Sequence, residues 1–182
     1  MTDKKTLAQR YLAAVNDELG WGGVEEPDGD IRFVSDLGAS FWITNTAPAD
    51  PEYLQLITMF RLSSTLANIG SPLDADRPEH RLPLLMAADR VVRRTKGAKM
   101  SVAPEQDRFA VAVEVVAAGK SRMPSVDHLA AILPRMLNMA TSALAAFNDE
   151  LVVAGLELSF PDVDGSLDDV SVLPDPPERD AL

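Results

Sequence analysis

The chain has 182 residues, of which 46% are hydrophobic and none is cysteine, and its formal net charge is −11. This length suits one domain of ordinary size, and the lack of cysteine excludes disulfide scaffolds, thiolate metal sites and a cysteine nucleophile. An acidic surface repels phosphate backbones and anionic headgroups, which argues against binding to nucleic acid or to a membrane surface.

The acidic charge is concentrated near the C-terminus. Residues 161–182 hold seven acidic residues and one basic residue, so they carry −6 of the total and residues 1–160 carry −5. The segment is rich in Asp and Pro and poor in aromatic residues, a composition typical of disorder. We therefore predict a single α+β domain over residues 1–160 and a disordered acidic tail over residues 161–182.

The N-terminal residues have neither the apolar core nor the small-residue cleavage site of a signal peptide. No stretch approaches the roughly 18–20 uninterrupted apolar residues that a membrane span requires. These features predict a cytoplasmic protein.

The first predicted element is a helix over residues 4–19, in which Leu7, Tyr11 and Val15 recur at helical spacing. The run Gly20-Trp21-Gly22-Gly23 then ends the helix, because glycine tolerates the left-handed conformation found there. A phosphate-binding loop would follow a strand rather than a helix, so the run is interpreted as a helix stop.

Three predicted strands follow the first helix. Residues 31–35 and 39–44 flank Asp36-Leu37-Gly38, which places glycine where a hairpin needs it. The third strand, residues 54–62, alternates and directs one set of side chains to a single face: Leu54, Leu56, Thr58, Phe60 and Leu62.

A central helix is predicted from Glu79 to Gly97. Its apolar residues on successive turns are Leu82, Leu85, Met86 and Val92, and basic residues occupy its C-terminal end, as the helix dipole favours. Two strands over residues 98–103 and 108–117 come next.

The last predicted helix begins after Ser125, a good N-cap, and carries an apolar stripe more than twenty residues long. Pro134 lies inside the stripe and predicts a kink or a break. The element order is α-β-β-β-α-β-β-α, which predicts an α+β fold: an antiparallel five-stranded sheet with helices on one face.

Residues able to perform chemistry are sparse. His80 and His128 each stand alone near a helix start, and the motifs of nucleophile elbows, phosphate loops and dinucleotide sites are missing from the sequence. Residues 162–169 resemble a calcium loop, but Gly165 comes too early in it. We predict no catalytic residue, metal ion or cofactor, and a small-molecule enzyme remains the least favoured alternative.

Apolar residues on the second face of the sheet suggest a binding surface. If Phe41, Ile43, Phe60 and Phe109 pack beneath the helices, alternation places another set on the opposite face. Exposed apolar patches rimmed by polar groups mark interaction sites. Burial in a homodimer or under the last helix is the alternative. The candidate partner-binding residues are Val34, Trp42, Ile57, Met59, Arg61 and Val116, with Ala112, Arg32, Gln55 and Glu114 beside them.

The element order also resembles a known family. The chain begins with a helix that ends near Leu19-Gly20-Trp21, and a run of three strands follows. The central helix contains Leu84-Leu85-Met86-Ala87-Ala88-Asp89-Arg90-Val91 and leads to Lys99-Met100-Ser101-Val102, after which come a long strand and a long final helix. This order and these residues resemble the type III secretion chaperone-like/YbjN superfamily. The likeness covers roughly residues 4–155. It implies a small cytoplasmic homodimer that binds extended segments of client polypeptides without catalysis.

Two functional hypotheses follow. The first is a chaperone-like module that docks client segments by sheet-edge addition or against the apolar sheet face. The second is a regulatory adaptor whose acidic tail occupies its own binding surface until a client displaces it. The cluster of Arg90, Arg93 and Arg94 motivates the second hypothesis, because it could attract an acidic segment.

Overall fold

Six antiparallel strands form the main sheet of the protein. The structure is a computed structural model, and it describes residues 4–47, 49–62, 66–67, 78–103, 106–119 and 122–158. The strand order is β1-β2-β3-β4-β7-β6, and β5 pairs with β8 outside this sheet. The elements in chain order are α1 (Lys4–Leu12), continued by a π-helical turn (Ala13–Glu18), β1 (Val24–Glu25), β2 (Ile31–Val34), β3 (Ser40–Thr44), β4 (Tyr53–Arg61), β5 (Leu66–Ala67), α2 (Pro78–Arg94), β6 (Ala98–Ala103), β7 (Arg108–Val116), α3 (Val126–Val153) and β8 (Glu157–Leu158).

The two longest strands, β4 and β7, lie side by side in the sheet and pair along their whole length, from Tyr53 opposite Val116 to Arg61 opposite Arg108. After β4 the chain leaves the sheet, forms α2 and returns at the far edge as β6, so β7 lies between β6 and β4. The predicted α+β fold with an antiparallel sheet is confirmed. The sheet has six strands rather than five because the two-residue β1 adds to its edge.

The core lies between one face of this sheet and the helices. Phe109 is at its centre, with its ring centroid 4.8 Å from that of Phe60 and 5.4 Å from that of Phe147 on α3. Stacked and tilted aromatic pairs at such distances add to the stabilisation from burial alone. Leu54, Leu56 and the other residues of β4 predicted to face one way do point into this core.

A small polar cluster joins the start of α1 to the hairpin of β2 and β3. The side-chain amide of buried Asn45 donates to the carbonyl oxygens of Lys4 (2.9 Å) and Gly29 (3.1 Å). The backbone N–H of Asn45 donates to Oδ1 of Asp30 over 2.6 Å. Burial raises the pKa of Asp30, and the bond from Asn45 only partly offsets this effect.

The central helix α2 turns a different side to the core from the one predicted. Its buried residues are Leu84, Ala87, Ala88 and Val91. The residues predicted as its apolar stripe are exposed instead: Leu82, Leu85, Met86 and Val92. Both sides of this helix are apolar, so the periodicity of the sequence could not show which side faces the core. The small side chains of Ala87 and Ala88 allow α2 to pack closely against β6 and α3.

The long helix α3 begins as predicted, since the N–H of His128 donates to the Oγ of its N-cap Ser125 over 3.3 Å. The predicted break at Pro134 does not occur, and the helix runs through it. Pro134 lies on the exposed side, while buried Leu133 and Met136 hold the helix in the core on either side of it.

α3 is long and apolar enough, by length and composition, to cross a membrane. The core helix of a soluble protein passes the same test, and eight residues of α3 are buried in this fold.

Some elements give no local signal in the sequence. β1 has two residues, too few to show alternation, and β5 pairs with a strand about ninety residues later in the chain. Most of residues 63–77, predicted as irregular, lie outside the described residues, as does the acidic tail over residues 161–182.

Candidate partner-binding surface

One face of the main sheet carries no helix from the part of the chain that the structure describes. The helices pack on the opposite face, and the side chains on this one are half-buried or exposed. We call it the open sheet face and define it by the outward residues of five strands: Arg32, Val34, Ser40, Trp42, Thr44, Tyr53, Gln55, Ile57, Met59, Arg61, Lys99, Ser101, Ala103, Arg108, Ala110, Ala112, Glu114 and Val116.

An apolar row crosses the middle of the open sheet face. Trp42 lies opposite Ile57, and Ile57 lies opposite Ala112. In the next row Met59 lies opposite Ala110. Alanine side chains are short, so β7 forms a shallow floor beside the taller side chains of β4. The surface can therefore receive an apolar segment that lies along the strands.

The structure places all six predicted partner-binding residues on the open sheet face, but it does not gather them at one point. Trp42, Ile57 and Met59 are neighbours near its centre, and Val34 lies at the end of β2 opposite Ser40. Arg61 and Val116, which is 70% exposed, lie at opposite ends of the β4–β7 pair. The central three residues therefore form one contiguous apolar patch.

A polar cluster around Glu114 was missed by the sequence analysis. Glu114 accepts hydrogen bonds from the Tyr53 hydroxyl (2.6 Å) and the Gln55 amide (2.8 Å), and it pairs with Lys99 on β6. Burial acts to raise the pKa of Glu114, but these hydrogen bonds outweigh it and hold the pKa below its ordinary value. Only the strand order β4-β7-β6 brings these side chains together.

The opposite end of the open sheet face is basic. Arg61 at the end of β4 lies directly opposite Arg108 at the start of β7. The face thus has the polar cluster around Glu114 towards one end, two guanidinium groups at the other and apolar side chains between them.

The three arginines of the basic cluster on α2 already pair with two carboxylates of the same domain. Arg90 and Arg94 pair with Glu150 on α3 at 2.8 and 2.6 Å, and Arg93 pairs with Asp89 at 2.9 Å. The hydrogen bond from Arg90 and the charges of both partners lower the pKa of Glu150. The two pairs with Glu150 attach α2 to α3, whereas the Arg93–Asp89 pair lies within α2. The predicted attraction of an acidic segment is therefore weakened at this place.

The remaining candidates for chemistry stay apart from one another. His128 is exposed in the first turn of α3, and His80 is in the first turn of α2. Within the described ranges, no three His, Cys, Asp or Glu side chains come together as a metal site would require.

The open antiparallel sheet with helices on one face is also found in solved structures. No protein-family model matches the chain, and no curated protein matches its sequence. YbjN from E. coli, described as a candidate transcription regulator, matches 87% of this chain and 97% of its own with a TM-score of 0.53 and 13% identity.

A chain of the HopA1–SchA chaperone–effector complex matches 82% of this chain and 99% of its own, with a TM-score of 0.49 and 12% identity. At 13% identity, the similarity to YbjN shows a shared fold, as the resemblance found in the sequence implied.

Proposed function

We propose that this protein is a non-catalytic, cytoplasmic, chaperone-like module that docks extended segments of client polypeptides. The observation that carries the proposal is the apolar row of Trp42, Ile57 and Ala112, with Met59 beside it, on the sheet face that carries no helix from the described residues. Tryptophan and methionine together suit the recognition of varied apolar sequences, because both present large and polarisable surfaces.

The geometry allows two modes of docking. A client segment could lie along the shallow floor of β7, flanked by Ile57 and Met59. It could also add to β6, which is the edge strand of the main sheet among the residues that the structure describes. Both modes use extended polypeptide, and the first depends on the side chains of the open sheet face.

The proposal is tested by purifying the tagged protein from its own cells and identifying co-purified proteins by mass spectrometry. The double substitution Trp42→Ala and Met59→Glu should remove the dominant partners while the circular dichroism spectrum is retained. Val153→Glu is the matched control, because Val153 is 82% exposed at the end of α3. Recovery of the same partners by the double variant would show that the open sheet face is not the client surface.

We further propose that the protein is a homodimer. The exposed apolar side of α2, formed by Leu82, Leu85, Met86 and Val92, supplies a surface separate from the open sheet face. Burying such a patch between two copies is favourable. Sedimentation analysis should give twice the chain mass for the parent protein and a monomer for Met86→Glu; a monomeric parent protein would refute the dimer.

The alternative proposal is a regulatory adaptor that its own acidic tail inhibits. The charge distribution supports it, because residues 161–182 carry −6 of the net charge of −11. Added client peptide should then bind the parent protein more tightly as salt rises and screens the tail. Client affinity that is insensitive to salt would favour the simple chaperone-like module.

A further inference from the structure

The carboxylate of Glu114 is held in one orientation on the open sheet face. The Tyr53 hydroxyl donates to its Oε2 over 2.6 Å, and the Gln55 side-chain amide donates to its Oε1 over 2.8 Å. Both donors are neutral, so they orient the carboxylate without cancelling its charge. An ionised carboxylate accepts about four hydrogen bonds, which leaves positions for a cationic donor. The Glu114 side chain is only 15% exposed, and attraction between charges strengthens away from bulk water.

The cation that pairs with Glu114 in the structure comes from a residue that is not its direct cross-strand neighbour. Lys99 lies opposite Ala112, and its ammonium group reaches diagonally to Glu114. β6 begins one position short of Glu114, with Ala98 opposite Val113. The Lys99 side chain is 70% exposed, and holding an exposed lysine in one geometry costs side-chain entropy that offsets much of the attraction. A cation from another chain can therefore replace Lys99 at little cost.

The apolar floor of the open sheet face lies beside this carboxylate. Ala112 and Glu114 share one face of β7, and two residues of a strand span about 7 Å. An extended client segment that lies along β7 has the same repeat, so an apolar side chain over Ala112 places the side chain two positions away over Glu114. Net charge favours a basic segment as well, because residues 1–160 carry −5 of the total of −11 and an acidic domain attracts cations.

We propose that the client segment carries a basic residue two positions from an apolar residue, and that this basic residue displaces Lys99 and pairs with Glu114 while the apolar residue lies over Ala112. Arginine is favoured over lysine, because its planar guanidinium group can donate two parallel hydrogen bonds to a carboxylate. This inference rests on the proposed function, since it names the sequence that the same surface selects. Glu114 then determines specificity, and Lys99 is an intramolecular competitor for the subsite.

Fluorescence anisotropy of three labelled synthetic peptides on the full chain tests the selection. The first peptide is a serine and glycine chain that carries one leucine and, two positions further on, one arginine. The second has citrulline, which has the shape of arginine without its charge, and the third has arginine directly after leucine. At low salt the first should bind about tenfold more tightly than the second, the scale of one charge-assisted hydrogen bond. The third should lose most of this gain, because adjacent side chains of an extended chain point to opposite sides.

Four variants separate the subsite from general charge effects. Glu114→Gln should remove the preference for arginine over citrulline, whereas Asp89→Asn, which removes a paired carboxylate on α2, should keep it. Lys99→Met removes the competitor and should raise the affinity for the first peptide by up to about fivefold. Lys96→Met removes an exposed cation after α2 and should not raise it. Circular dichroism checks that each variant is folded.

Equal affinity for the arginine and citrulline peptides, or no binding of either, would overturn the proposal. A preference that survives Glu114→Gln, or an affinity that Lys99→Met leaves unchanged, would overturn it as well. None of these results affects the client experiment in cells, which depends on Trp42 and Met59. If the Trp42 and Met59 double variant recovered the same partners while the preference for arginine persisted, the proposed function would fail and the Glu114 subsite would stand.

Discussion

Trp42 and Ile57 lie directly opposite each other on β3 and β4, and Ala112 continues their row on β7. All three side chains point away from the helices, whereas their strand neighbours Phe41, Leu56 and Val113 are buried in the core. The apolar side chains of these strands are thus divided between the core and the open sheet face.

Trp42→Ala should leave the fold nearly as stable as before, while Phe109→Ala should not. Trp42 is half-buried and loses only cross-strand contacts, about 1 kcal/mol. Phe109 is 1% exposed and stacks on two rings, so its removal should cost about 3–5 kcal/mol. Urea unfolding measures both; equal costs would mean that the open sheet face is covered in solution.

Neighbouring leucines on α2 should differ sharply in their contribution to stability. Leu84 is fully buried, and Leu84→Ala should lower the free energy of unfolding by about 2–5 kcal/mol. Leu82 is 57% exposed, and Leu82→Ala should cost about 0.5 kcal/mol or less in a monomer. If Leu82→Ala lowered the thermal unfolding temperature strongly, and by an amount that depends on protein concentration, the dimer interface would lie on this side of α2.

Glu114 should stabilise the protein at neutral pH but not in acid. Its folded pKa lies below the ordinary glutamate value, so its contribution is present above the unfolded pKa and is lost as pH falls through the folded pKa. Lys99 is 70% exposed, so screening limits the contribution to about 1 kcal/mol.

Urea midpoints of the parent protein and Glu114→Gln, measured from about pH 7 to about pH 3, report this contribution. The gap between the two proteins should close in acid. If the difference in urea midpoint stayed constant with pH, the lower stability of Glu114→Gln would come from packing rather than from the charge of Glu114.

Asp30→Asn should stabilise the protein slightly at neutral pH. Burial raises the folded pKa of Asp30, so the stability linked to its protonation is present below the unfolded pKa and is lost as pH rises through the folded pKa. Asparagine removes the buried charge and keeps an oxygen that can accept from the N–H of Asn45. Thermal unfolding should show a gain of roughly 0.5 kcal/mol at pH 7 that diminishes in acid.

Asp36→Asn is the control for Asp30→Asn, because Asp36 is an exposed carboxylate in the turn between β2 and β3. It removes the same charge without relieving burial and should leave stability unchanged. A loss of stability in Asp30→Asn would mean that the charged hydrogen bond to Asn45 outweighs the cost of burial.

Local patterns in the sequence account for most of the elements. The alternation of Phe109, Val111 and Val113 defines a strand because side chains of a strand point to opposite faces in turn, and the same rule placed Trp42, Ile57 and Met59 on one face of the sheet. Ser125 located the start of α3 because its hydroxyl accepts from the first turn of the helix. Such signals act over a few residues and can be read without the fold.

Contacts between distant parts of the chain required the tertiary structure. Periodicity could not tell which apolar side of α2 faces the core, because Leu82 and Leu84 are equally apolar and only packing against β6 and α3 distinguishes them. The Glu114 cluster and the Arg61–Arg108 pair depend on β7 lying between β4 and β6. Local conformation thus made most of the elements, and the two faces of each predicted strand, readable from the sequence. Strand order and register arise from long-range packing, and they decided which side chains meet.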